Sequence, residues 1–282
     1  MTIFTSALVA ALLVGVLCGI VGSIVVLRQR AFFTVALTHA TFPGGVLAAI
    51  LGVHIVLGAF VMGLVLVGFM LVLGRIRRQG RQVAAGIVLS FGYALGVFLH
   101  SLVPGLQTRV DSFLTGSIIG IPTSSILIIA GMLVLAVVVV AGLWKQLLFS
   151  TFDREGYAAS GGSEARIELV TLVLIVGTVV TTMPAIGSIL AIAMIAAPAA
   201  AAKLLVRRIE WLMPVACLFG AGSAVLGLFA SQWFSIAAGG SMALAATAVF
   251  LVALGLHRVT RPVAKRPVGA AGYTGRKEPL NA

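Results

Sequence analysis

A chain of 282 residues that is 61% hydrophobic and only 9% charged lacks the polar surface that a water-soluble domain of this size needs, so it reads as a polytopic membrane protein. Its net charge of +12 does not indicate nucleic-acid binding, because the basic residues fall in short clusters between apolar runs rather than on one polar face. Cys18 and Cys217 both lie in apolar runs, where a free thiol acts as a small hydrophobe, and suggest neither a disulfide framework nor a zinc finger.

Residues 1–27 begin without positive charge and end at Arg28 and Arg30, which reverses the charge order of a secretory signal and predicts a retained first span. Gly15 and Gly19 form a small-xxx-small ridge, read as general packing rather than a dimer motif. The second run, residues 31–52, AFFTVALTHATFPGGVLAAILG, puts His39 at membrane depth as its one ionisable side chain. Pro43 has no N–H to give to the carbonyl of His39, and Gly44 and Gly45 leave the backbone thin beside it. Two readings fit: a cation perch built from an imidazole and a freed carbonyl, or a packed histidine beside an ordinary kink.

Further runs long enough for about 30 Å of hydrocarbon recur at roughly 55–74, 83–103, 124–143, 168–186, 188–206, 213–231 and 237–256, making about nine in all. With the N-terminus outside, alternate threading puts all but one of the 19 basic residues on the cytoplasmic side, the exception being Arg109. That asymmetry is the one the positive-inside rule requires. Pro184 to Gly187 is either a turn between two spans or a break in a re-entrant element, leaving the count at eight to nine.

Residues 104–123 are bounded by prolines, too short and polar to span, and predict a short external helix bearing Arg109 and Asp111. Asp111 either meets an incoming cation or is simply solvated. Residues 145–166, KQLLFSTFDREGYAASGGSEAR, mix Leu147, Leu148, Phe149 and Phe152 with charge. They predict a short amphipathic helix that either enters a partner's groove or lies in the lipid interface. Pro198 places a second proline in an apolar span and frees the carbonyl of Met194, so each half has one broken span, as in duplicated transporters with a central pathway. Residues 257–282 read as a basic, disordered cytoplasmic tail near anionic lipid.

What is absent narrows the mechanism. No G-x-x-x-x-G-K-[ST] occurs to cradle a nucleotide, and no predicted span holds Asp, Glu, Lys or Arg well inside it, as a proton-coupled transporter needs. Energy is therefore expected from another subunit. Neither H-E-x-x-H nor G-x-S-x-G is present, and one histidine cannot make a catalytic metal site, so the chain is not read as an enzyme.

Five stretches in order, LLVGVLCGIVGSIVVLRQRAFFTVALTHATFPGGVLAAILG, AAGIVLSFGYALGVFL, DSFLTGSIIGI, KQLLFSTFDREGYAASG and VGTVVTTMPAIGSILAIAMIAAPAAAAKLL, resemble the membrane permease subunits of bacterial ABC importers for manganese, zinc and iron. The resemblance runs from about residue 8 to residue 256. It implies an all-α permease domain over 1–256, working as a homodimer in the bacterial plasma membrane with a cytoplasmic ABC ATPase and an extracytoplasmic metal-binding lipoprotein. The divalent metal is then the substrate, no cofactor is permanently bound, and ATP sits on the partner alone. By position His39 matches a metal-binding histidine, with Thr38 and Asp111 as weaker candidates. The loop with Phe152, Asp153, Glu155 and Gly156 matches the coupling helix that meets the ATPase, and Pro43 and Pro198 become helix breaks on the pathway. Two departures stand out: Val35 replaces the family's usual Asp one turn before His39, and RQVAAG replaces an acidic Asp-Thr pattern before residue 86. Losing that carboxylate removes a hard ligand suited to manganese or ferrous iron and leaves imidazole, which suits zinc. A secondary metal transporter and an ABC permease for a metal chelate are the alternatives.

Overall fold

In the computed structural model, residues 3–73, 81–102 and 116–260 are described, and no strand occurs among them. Eight helical stretches are long and apolar enough to cross a membrane: Ile3–Leu27, Ala31–Ile50, Ile55–Leu73, Gln82–Leu99, Thr123–Phe152, Glu164–Ile186, Ile209–Phe234 and Ala238–Val259. The predicted 188–206 run is a ninth, shorter apolar helix.

Helix α1 (Ile3–Leu27) forms the centre and packs on five later helices. Its small residues permit this. A Cβ on Gly15 would lie 2.7 Å from the backbone of Ala221, and one on Gly19 would lie 2.6 Å from the Cys217 nitrogen. The ridge is therefore an intrachain seam against the helix of residues 212–234, where close backbone approach supplies the packing that lipid cannot drive. α1 ends without a C-cap glycine. The Arg30 N–H instead donates to the Val25 carbonyl (2.8 Å) around Gln29, which takes the left-handed conformation at φ 56°.

The second run divides into α2 (Ala31–Ala40) and α3 (Phe42–Ile50). The break falls at Thr41 rather than at Pro43, which sits in the first turn of α3, where a missing N–H costs nothing. The Thr41 N–H (3.1 Å) and hydroxyl (2.9 Å) both donate to the Leu37 carbonyl, closing the end of α2.

α4 (Ile55–Leu73) and α5 (Arg81–Ser101) flank this break. α4 meets α3 backbone to backbone at Gly44 and Gly58. α5 meets the end of α2 through Gly92, where a Cβ would lie 2.7 Å from the Ala40 Cα, and meets α3 through Gly96, where a Cβ would overlap the Phe42 ring. Gly92→Ala should therefore destabilise the bundle by about 1–3 kcal/mol, because backbone has nowhere to move. Gly86→Ala, which meets nothing, should fall within about 0.5 kcal/mol of the parent. Thermal unfolding in detergent checks both; equal midpoints for the two variants would show that the α2–α5 seam is loose.

α6 (Thr123–Phe152) has 30 residues, about 45 Å, and so overshoots the hydrocarbon by several turns. The predicted loop 145–166 is corrected accordingly: residues 145–152 continue α6, and only α7 (Arg154–Ala159) and its flanking turns form the connection. α8 (Glu164–Ile186) and α9 (Ser188–Leu205) follow, separated by Gly187 alone at φ 87°. α10 (Leu212–Phe234) and α11 (Ala238–Thr260) complete the bundle, with α11 running four residues into the predicted 257–282 tail. His257 donates from Nδ1 to the Leu204 carbonyl (2.8 Å), which holds that extra turn. The external helix predicted around Arg109 and Asp111, and the tail after Thr260, lie outside the described residues.

α1, the α2–α3 stretch and α8 are the buried spans, whereas α4, α5 and α6 keep apolar residues such as Val65, Phe98 and Val134 exposed. An apolar helix with an apolar exposed face is what a lipid surround requires.

Candidate functional site

His39 and Val35, one turn apart, share the half-buried face of α2. The His39 ring meets Tyr93 of α5 edge to face, with centroids 5.9 Å apart, and Tyr93 also touches Phe42 across the break at 6.5 Å. Tyr93 is thus an aromatic neighbour of the imidazole from another helix, and nothing in the sequence had singled it out. Thr38 is buried and its hydroxyl donates to the Val35 carbonyl (2.7 Å), while the Thr34 hydroxyl donates to the Arg30 carbonyl (3.1 Å). Both hydroxyl protons are committed to the helix, and only oxygen lone pairs remain for a ligand. Among the described residues no three His, Cys, Asp or Glu side chains gather as a metal-holding group. Asp111 lies outside those residues. α9, which carries the buried Pro198, packs on α2, the helix of His39, whereas Pro43 lies in α3.

A cleft of about 490 Å³ opens between the α3–α4 turn, the 116–122 segment and the end of α8. His54, Ser117, Ser125 and Pro184 line it, and the Ser117 N–H donates to the Pro184 carbonyl (3.1 Å). His54 was also missed; its one signal was an imidazole in the short link between two apolar runs.

At the other end of the bundle, Asp153 caps α7 by accepting the Gly156 N–H on Oδ1 (2.8 Å). A Cβ on Gly156 would overlap that carboxylate in its present position, so a larger residue there displaces the capping side chain. Glu155 lies in the first turn, where the helix dipole favours an anion. Tyr157 is buried, packed against Phe149 with centroids 5.6 Å apart and beneath Gly162. Phe152 is 70% exposed and points away from the bundle. The four residues 152, 153, 155 and 156 therefore form one capped, projecting turn anchored by Tyr157.

Below that turn lies a cluster which sequence reading had treated only as orientation signal. The Arg28 side chain, 3% exposed, donates from Nε to Thr151 Oγ1 (3.2 Å), from Nη2 to Ser150 Oγ (2.8 Å) and from Nη1 to Thr171 Oγ1 (2.9 Å). Its Nη1 is also 3.6 Å from Glu168 Oε2, and Arg30 pairs with the other oxygen of the same carboxylate. Burial pushes the Arg28 guanidinium down from its ordinary value, and Glu168 opposes the shift.

The sequence matches the ABC 3 transport family over residues 1–257. The chain belongs to that family. It is 34% identical over 253 residues to the zinc transport system membrane protein TroC of Treponema pallidum, covering 86% of this chain and 85% of TroC. It is 29% identical to the manganese transport system membrane protein MntC of Halalkalibacterium halodurans, covering 88% of this chain and 85% of MntC. Among solved structures, PsaBC from Streptococcus pneumoniae in complex with Fab superposes with a TM-score of 0.82 at 31% identity, covering 90% of this chain and 91% of that one. This ABC 3 protein is a multi-pass membrane transport permease, and the family is a transport class rather than an enzyme class. Its membrane bundle thus carries a half-buried imidazole at a helix break and, at one end, a capped turn clamped to a buried ion-paired cluster.

Proposed function

We propose that this ABC 3 permease imports a divalent metal ion, zinc or manganese, across a bacterial plasma membrane, as a homodimer energised by a separate cytoplasmic ABC ATPase and supplied by an extracytoplasmic metal-binding lipoprotein. The observation that carries the reading is His39 on the half-buried face of α2, beside the break at Thr41, inside a bundle of apolar helices. The names of the zinc and manganese relatives support the cargo class. Imidazole without the neighbouring carboxylate favours zinc. The N-terminus is outside, which puts α7 in the cytoplasm and the His54 cleft at the outer mouth, where the lipoprotein delivers metal. Weak ligation at His39 suits passage, because an ion must leave as well as enter.

A tagged chain purified from native membranes should retain two permease copies with an ATPase, and zinc-loaded binding protein should stimulate hydrolysis. In the same membranes, Gly162→Cys should react with an impermeant thiol reagent only from the cytoplasmic side. Zinc uptake by the chain alone in liposomes, driven by an ion gradient, would overturn the ABC reading in favour of a secondary transporter. Labelling of Gly162→Cys from outside would overturn the orientation.

A further inference from the structure

We propose that Arg28, Arg30 and Glu168 are positioning residues for transport: they link the coupling turn at α7 to the helix that carries His39. The inference rests on α7 being the contact with the ATPase and deepens that reading. Its basis is connectivity. α7 is entered through the end of α6 and left through the start of α8, so any push on it reaches the bundle through those two legs. Arg28 holds both legs at once. Its guanidinium donates to Ser150 and Thr151 on the α6 leg and to Thr171 on the α8 leg, and it approaches the Ile167 carbonyl at 3.5 Å. A planar fork with five donors can span two helices in this way, which a lysine ammonium cannot.

The acceptors are themselves tied down. The hydroxyls of Thr151 (2.5 Å) and Ser150 (3.3 Å) donate to the Leu147 carbonyl, and that of Thr171 to the Ile167 carbonyl (2.8 Å). Each leg is therefore gripped through its backbone. Glu168 then joins Arg28 to Arg30. Arg30 is the N-cap of α2, and its carbonyl accepts the Thr34 N–H (3.0 Å) and hydroxyl (3.1 Å). From Arg30 a continuous helix leads to His39, about 13 Å away at 1.5 Å per residue.

Two arginines facing one carboxylate at low exposure (6% for Arg30, 14% for Glu168) make a costly arrangement if its only task is stability. Apolar residues would hold three helix ends together as well. A buried charge network has one property that apolar packing lacks: it has few alternative geometries, so its members move together or the network breaks. Gln29, held at φ 56° between the two arginines, gives the α1–α2 junction the turn that lets both reach Glu168.

The test uses the permease with its ATPase in liposomes, supplied with zinc-loaded binding protein, and reads zinc imported per ATP hydrolysed. Arg28→Lys and Glu168→Gln should still hydrolyse ATP on addition of the binding protein while the ratio falls by about tenfold, within the range by which changes along a coupling network act. A merely structural role lowers melting temperature and both rates together and leaves the ratio at the parental value; that result overturns the inference. Should Arg28→Lys fail to assemble, Ser150→Ala with Thr171→Val decides by the same ratio, since it trims one contact on each leg and leaves the ion pairs. A lowered ratio supports the linkage and a parental one overturns it. Failure of the parental complex to link hydrolysis to uptake would strike the coupling role of α7 itself, whereas a coupled parent with an unchanged variant ratio strikes only the linkage.

Discussion

His39→Ala should lower zinc and manganese uptake by more than about 100-fold, since even partners that merely orient a metal ligand are worth about 10–100-fold. The side chain is the imidazole on the half-buried face of α2, its ring stands edge to face with Tyr93, and no group of three described His, Cys, Asp or Glu side chains stands in for it. His39→Gln should retain a trace through its amide oxygen. Val35→Asp should do the opposite to affinity. Residues 35 and 39 lie one turn apart on one face, so a carboxylate there reaches the same ion, and the ion's charge offsets the cost of burying it. Binding should tighten most for manganese, which prefers oxygen donors, and slower release should lower uptake even so. Radioactive zinc and manganese uptake in the three variants checks this, with insertion verified by immunoblot. Parental uptake of both metals by His39→Ala would put the site elsewhere.

Replacing the projecting turn should uncouple hydrolysis from transport without touching the metal site. Glu155→Ala with Gly156→Val removes an exposed anion and breaks the Asp153 cap, because the new side chain overlaps the capping carboxylate. Loss of such a cap costs about 0.5–2 kcal/mol, enough to fray a six-residue helix but not the membrane bundle. Phe152→Ala removes the exposed aromatic that a partner groove would take up, and an anchor of that kind is worth about 2 kcal/mol or more, roughly 30-fold. Stimulated ATP hydrolysis by each variant complex, measured beside zinc binding, gives the result. Hydrolysis that still responds fully to the binding protein in both variants would return α7 to a helix lying in the lipid interface.

Much of the membrane architecture was legible because apolar run length and basic-residue position are properties of the chain itself. The nine runs correspond to helices, with 31–52 bent once and 188–206 shorter than the rest. His39 was legible for the same reason: an imidazole in an apolar run needs an explanation wherever the helix ends up. Tyr93 was not, since an aromatic in an apolar helix is ordinary until a ring on another helix stands against it.

Arg28, Arg30 and Glu168 mark the boundary most sharply. As letters they are loop charges flanking spans, and the positive-inside rule accounts for the arginines completely. Only the packing of the α1 end against α6 and α8 buries them, and burial turns an orientation signal into a paired network. The same contact decides the length of α6. Lys145 and Gln146 look like the start of a loop, yet the Ser150 and Thr151 hydroxyls find Arg28, and the helix persists to Phe152. The sequence by itself therefore determined the all-α membrane class, the run positions and the intramembrane histidine, because each depends on hydration or its loss along one segment. The tertiary structure alone decided what stands against the His39 ring and what grips the coupling turn, because each depends on a partner group from a helix distant in the chain.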